Sequence, residues 1–353
     1  MRKAETGRGK PAGNRQPESS GSDSRCRLPV AASTAPVSWP RWPWFLAALL
    51  LPALPALADE EAGFLVERDN VEIAPARQVE IHAIDIDNRL GDIQVIGRDQ
   101  PGISLAVVKR APDEDALDRL KVNLVPDPSG VVRISSALLI GREARPIAAG
   151  QVRIDIKIFA PRAAAVRAKA WNGKLGVTGM EAGATLAAHD GDIAVTNVKG
   201  PVTTISTRGR QRLTGVAGVV SADDTYGDLA LDTISGDALA ARVHRGSVTA
   251  THIRSQVVSI TTTFGDIQFR GELLAGGRYE LRSYQGNVDA RAQGSFTVDA
   301  RSRDGRIAPE VELRDAQRPE IGRLLGSYGG GERPATLILS STAGRVVFGL
   351  VNE

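Results

Sequence analysis

The chain has 353 residues, is 42% hydrophobic and carries a formal net charge of +3 with a pI near 9.1, enough for one large domain or two small ones. The basic balance is confined to residues 1–58, which hold eight Lys/Arg against three Asp/Glu; from Asp59 on, 36 basic residues meet 38 acidic ones, a net charge of −2. That distribution excludes a nucleic-acid partner for the part expected to fold. The single cysteine, Cys26, leaves no disulfide or thiol nucleophile after residue 58.

The first 58 residues read as a leader. Arg41 precedes the apolar run Phe45–Leu51, which ends in Ala56-Leu57-Ala58, a small-x-small site, followed by the acidic Asp59-Glu60-Glu61. The run is too short to cross about 30 Å of hydrocarbon, and Pro52 and Pro55 interrupt its end. Cleavage is therefore expected after Ala58, leaving no membrane span. Residues 1–36, rich in Gly, Ser, Pro and charge, are expected either to be a disordered extension or to precede a true initiator at Val37. The product would be exported, to the periplasm, the outer surface or the medium.

Residues 59–160 read as a β-rich N-terminal part with one short helix. Val79–Ile86 alternates apolar and polar residues, Gly91-Asp92-Ile93-Gln94-Val95 follows at once, and Ile103–Val108 is a further strand. Pro112–Leu120, with proline and acids first and leucines three apart, predicts a helix lying across an open sheet end. Val131–Ser135 and Val152–Ile158 are again strands, and Pro161 closes the section.

Residues 161–353 read as a β-strand-repeat solenoid, with 59–353 as one continuous domain the alternative division. Gly173-Lys174-Leu175-Gly176-Val177 recurs as Gly191-Asp192-Ile193-Ala194-Val195, Gly227-Asp228-Leu229-Ala230-Leu231 and Gly265-Asp266-Ile267-Gln268-Phe269. From Gly173 through Gly209, Gly246 and Gly286 to Gly305 the steps are 18, 18, 18, 19, 19, 21 and 19 residues. So steady a period predicts a stacked, all-β, parallel β-helix-like solenoid, because each unit is too small to bury its own apolar face. A second glycine nine residues on (Gly200, Gly218, Gly236) or ten on (Gly183) divides each coil into two strands.

Two columns follow from that register. Leu175, Ile193, Leu229, Val248, Ile267, Val288 and Ile307 should point inward, each contributing roughly 1.5–3 kcal/mol by burial before entropy is subtracted. Gln211 interrupts them and predicts a bulge or register shift in its coil. The residues directly after the glycines, Lys174, Asp192, Arg210, Asp228, Ser247, Asp266, Asn287 and Arg306, never place like charges side by side. They read as a structural ladder of turn-favouring and mutually attracting side chains, since a catalytic carboxylate pair needs like charges forced together. Gly344, about two repeats after Gly305, predicts that Thr336–Ser340 and Gly344–Phe348 resume the pattern as a terminal cap.

Chemical motifs are few. The ladder lacks the Gly-Gly-x-Gly-x-Asp calcium repeat, although Asp190 with Asp192, or Asp223 with Asp224 and Asp228, would supply the oxygens of a weak site. His82, His189, His244 and His252 have no zinc-ligand spacing and read as surface strand residues. No nucleophile elbow, phosphate loop or dinucleotide fingerprint is present, and no cofactor is expected. Trp171, Tyr226, Phe264 and Tyr284 lie at or just before turns, where they fit both sugar stacking and ladder packing.

The alternating strands, the proline-ended strand Ile154–Pro161, the Gly-Asp-Ile-x-Val turns, the late Gly329-Gly330-Gly331 loop and the closing Gly344–Phe348 strand resemble the bacterial putative-adhesin family of β-strand-repeat domains, a domain of unknown function (4097). The likeness covers about residues 80–350. It implies a secreted solenoid and carries no catalytic residues over; the Gln211 coil and the long preamble before Pro161 depart from it. The expected function is that of an exported, non-enzymatic, adhesin-like protein binding a glycan, an envelope protein or itself. The alternatives are a β-helix polysaccharide lyase or hydrolase, for which Asp190, Asp192, Arg208 and Arg210 form the compact set, and a periplasmic envelope-stress or assembly partner.

Overall fold

The computed structural model describes residues 59–61, 64–73, 80–141, 147–148, 150–304 and 306–351; the leader expectations and the Gly305 turn lie outside them. Each glycine-led unit makes one coil with a segment in each sheet, continuous as one strand in Leu229–Arg245 and Val248–Phe264, and equivalent segments of successive coils pair in parallel. In the first sheet one register column runs Ile156, Ile93, Leu175, Ile193, Gln211, Leu229, Val248, Ile267, Val288, Val346 and Ile307. In the second, Ile86, Ala168, Leu186, Thr204, Ala222, Ala241, Ile260, Leu281, Leu339 and Ala300 stand one above another. Both columns face inward, so the core is the seam between the two sheets. All their members are buried except Ile307, which is half-buried.

Glycine is needed at the coil edge for a reason visible in the backbone. A Cβ on Gly191 would stand 1.9 Å from the carbonyl oxygen of Gly173, and one on Gly209 2.1 Å from that of Gly191. Gly227, Gly246, Gly265 and Gly286 repeat the contact upward at 1.9–2.1 Å. Coils therefore approach each other through glycine backbone on glycine backbone. The opposite corner repeats the contact, with a Cβ on Gly218 or Gly236 falling 2.1 or 2.3 Å from the carbonyl oxygen of Gly200 or Gly218. Within the first-sheet strands, by contrast, Asn197, Gly215, Thr233 and His252, at φ of 52, 66, 55 and 52°, form a left-handed column in which only the second is a glycine.

The Gln211 coil contains no register shift. Gln211 pairs with Ile193 on one side and Leu229 on the other and is 1% exposed. A polar residue keeps the inward position because three partners meet it. Its Oε1 accepts from Thr204 Oγ1 at 2.5 Å, and its Nε2 donates to the Asp223 carbonyl at 2.7 Å and to Asp224 Oδ2 at 3.0 Å. The irregularity falls instead between Ala250 and Ile253, against Phe269 and Gly271.

Stack order departs from chain order at both ends. The coil made by Val131–Leu138 and Arg153–Pro161 lies outside the one made by Ala83–Asn88 and Ile93–Arg98, which pairs directly with the coil of Ala165–Asn172 and Leu175–Thr178. Beyond them the pairing turns antiparallel, through Ile103–Ala111, Phe64–Ile73 and Asp59–Glu61 in one sheet and Leu120–Pro126 in the other. The predicted helix is Glu114–Asp118, capped by Asp113 Oδ1, which accepts from the Ala116 amide at 2.8 Å. It joins the antiparallel strand of one sheet to that of the other and packs on both.

At the other end the last two strands are not the terminal cap. Ala335–Ala343 lies between Arg278–Gln285 and Phe296–Ser302, and Val346–Leu350 lies between Val288–Gln293 and Ile307–Pro309. Antiparallel Arg323–Tyr328 and Arg314–Gln317 close this end. The displacement costs no side-chain match, because Val346 and Ile307 offer the same aliphatic surface to Val288. It also inserts Arg345 between Asn287 and Arg306 in the edge ladder.

Candidate functional site

The edge ladder is held by hydrogen bonds rather than by ion pairs between its side chains. Oδ1 of Asp92 accepts from the Lys174 amide at 2.7 Å, that of Asp192 from Arg210 at 2.9 Å and that of Asp228 from Ser247 at 2.9 Å. Asp266 receives the Asn287 amide at 2.7 Å and Asn287 the Arg345 amide at 2.9 Å. Each acidic or amide side chain thus caps a backbone N–H in the coil above it. Lys174, Arg210 and Arg306 stand exposed on the same edge. This arrangement consumes the carboxylates structurally.

Three residues before the glycine lies a second polar column, inside the seam, that the sequence reading passed over. Ser283 Oγ donates to the Gly265 carbonyl at 2.9 Å, Ser341 Oγ to that of Gly286 at 2.8 Å and Ser302 Oγ to that of Gly344 at 3.0 Å. Asn88 fills the place near the other end, donating from Nδ2 to the Ile154 carbonyl at 2.8 Å. The signal is a small polar residue at the third position before Gly, weak because Ala170, Ala188 and Val243 occupy the same place. Asp224 is the charged member: 5% exposed, with Oδ1 unpartnered. Burial pushes its carboxyl up to about 6, against the Gln211 hydrogen bond that favours the charged form.

These contacts dismantle two sequence-level candidates. Asp223 faces Arg242 at 3.4 Å, Asp224 turns inward and Asp228 caps Ser247, so the three do not converge. Among the described residues no three His, Cys, Asp or Glu side chains are placed to hold a metal ion. The compact set proposed for a lyase is divided. Arg208 donates from Nε and Nη2 to both oxygens of Asp190, and Asp192 is taken by the Arg210 amide. The Arg208 guanidinium holds the Asp190 carboxyl below the usual range, which weakens it as a general base.

What the fold leaves open is the outer face of the second sheet. Trp171, 56% exposed, stacks on His189 with ring centroids 4.3 Å apart. The pair lines a groove of about 650 Å³ together with Ala170, Ala187, Ala188 and Ile205. Arg89, Lys169 and Asp87 rim it. Asp87, Lys169 and Ala187 also line a second groove of about 550 Å³, which brings in Arg133 and Arg167. Further along the same edge the Arg245 guanidinium lies between the rings of Tyr226 and Phe264, at 5.7 and 5.4 Å.

The class the fold defines is a stacked β-solenoid with a glycine edge and an open aromatic groove. The Toastrack DUF4097 family model matches residues 143–342, more than half of the chain, and the chain belongs to that family. A comparison with curated proteins found no match. Among solved structures, a chain described as a putative cell adhesion protein from Clostridium sporogenes shares 10% identity over 80% of this chain and 98% of its own, with a TM-score of 0.24. A putative lipid binding protein from Parabacteroides distasonis shares 12% over 80% and 96%, TM-score 0.46. A putative adhesin from Bacteroides fragilis shares 12% over 81% and 97%, TM-score 0.34. No helix among the described residues is long and apolar enough to cross a membrane.

Proposed function

We propose that this chain is an exported, non-enzymatic, adhesin-like binding protein that recognises a glycan through the Trp171 groove. The observation that carries the reading is Trp171 itself. An indole more than half exposed, stacked on His189 through one face and lining a groove with Asp87, Arg89 and Lys169, contributes little to packing. It matches the flat face and hydroxyl fringe of a pyranose ring. The division of the Asp190, Asp192, Arg208 and Arg210 set favours binding over cleavage, and the leader favours export.

The test is a glycan array probed with the full chain and with Trp171→Ala. Binding by the wild type that falls about tenfold or more in the variant, with the melting temperature unchanged, supports the reading. Equal binding by both removes the groove from the function. Export is tested by protease shaving, where an antibody against the repeat should lose its signal on intact or outer-membrane-permeabilised cells; protection until full lysis rules it out.

A further inference from the structure

The register extends the groove well beyond Trp171. Trp171, His189, Thr207, Thr225, His244, Thr263 and Tyr284 occupy one position in seven successive coils of the second sheet. The next position, directly before the glycine, carries Arg208, Tyr226, Arg245 and Phe264 in consecutive coils. Tyr226, Phe264 and Tyr284 are 45%, 37% and 49% exposed. His244 bridges the first two rings edge-on, with centroids 6.4 and 5.6 Å away. The two positions together form one aromatic strip, interleaved with guanidinium groups, along six coil steps of about 4.8 Å each, or roughly 29 Å.

We propose that the strip is a track for a linear acidic polysaccharide, lying along the solenoid axis with Trp171 at one end and Tyr284 at the other. The proposal rests on the glycan reading of the Trp171 groove and specifies the chemical class of its ligand. Three features select that class. The coil spacing is close to the length of one sugar unit in an extended chain, so ring after ring meets a stacking or hydrogen-bonding partner. The aromatic sites lie at intervals along a line, which suits a repeating chain rather than a terminal sugar. Cations accompany the rings: Arg89 and Lys169 at the groove, where Asp87 is the one acidic lining residue, and Arg245 midway, while Arg208 is already paired with Asp190. Arg89 and Lys169 make no ion pair within the described residues, so a carboxylate on the ligand would be their counter-charge.

The experiment is calorimetric titration of the full chain with hyaluronan oligosaccharides of increasing length, against neutral chitin oligosaccharides of the same lengths. The variants Trp171→Ala and Tyr284→Ala are titrated in parallel. Affinity for hyaluronan should rise about tenfold or more from about four to about eight sugars, as contacts add along the roughly 29 Å strip, and level off beyond that length. Tyr284→Ala should remove several-fold of that gain while leaving the short oligosaccharide unaffected. The acidic series should bind more tightly and lose affinity with added salt. Short ligands that bind through Trp171 with no gain in length and no effect of Tyr284→Ala would overturn the track while leaving the groove reading intact. Tighter binding of the neutral series would overturn the acidic class. A chain that bound neither series here and no glycan on the array would lose both readings.

Discussion

Asp224→Asn isolates a carboxyl whose proton affinity the fold raises. Asp224 is buried in the seam with one oxygen bonded to Gln211 and the other unpartnered, and its folded value of about 6 stands above the ordinary 3.8. A raised folded value means that the native state binds the proton more tightly than the unfolded chain. The contribution is thus full below pH 3.8 and is lost as pH rises through about 6. The shift corresponds to about 3 kcal/mol lost by pH 8 and about 1 kcal/mol by pH 4.5. The asparagine variant does not titrate. Its stability relative to wild type should therefore improve by about 2 kcal/mol between pH 4.5 and pH 8, whatever fixed cost the buried amide carries. Urea denaturation of both proteins at the two pH values reads this directly, as does a relative gain of about 4 °C in melting temperature. A stability gap identical at both pH values would refute the reasoning, since the carboxylate would then be solvated or paired.

Two further substitutions probe the edge. Gly191→Ala sets a Cβ 1.9 Å from the Gly173 carbonyl at φ +154, whereas Gly276→Ala, at φ +69, meets nothing within 4 Å. The first should cost more than about 3 kcal/mol and the second about 1 kcal/mol by chemical denaturation; equal costs would mean that coil contact does not require glycine. Asp228→Ala removes the cap on the Ser247 amide and should cost about 1 kcal/mol, while Asp228→Arg also sets a second guanidinium beside Arg210 and should melt lower still. Equal melting temperatures would show that the edge column is not in register.

The repeat was legible because its causes are local. Glycine at Gly191 or Gly265 answers to a backbone conformation and a carbonyl one coil away, and the same residue recurs wherever the same contact recurs. The alternation that buries Ile193, Leu229 and Ile267 is set by strand geometry alone. Gln211 was misread for an equally plain reason: polarity at an inward position signals disruption unless its partners are known. Thr204 and Asp224 sit in the facing sheet, seven residues before and thirteen after it. The hydroxyl column before the glycines escaped notice because alanine or valine replaces it in several coils without loss of packing.

The sequence by itself determined the coil: its length, its two strand segments, its glycine edge and its inward aliphatic column. The tertiary structure decided the order in which coils stack at the ends. Chemically equivalent units pair equally well with any neighbour, so nothing in Val346 distinguishes a place beyond Ile307 from one between Val288 and Ile307. That choice is made by the connecting segments and by the antiparallel strands that close each end. Tertiary structure alone also brought Trp171 onto His189 and aligned both with Tyr284, because residues far apart in the chain become neighbours only when the coils are in register.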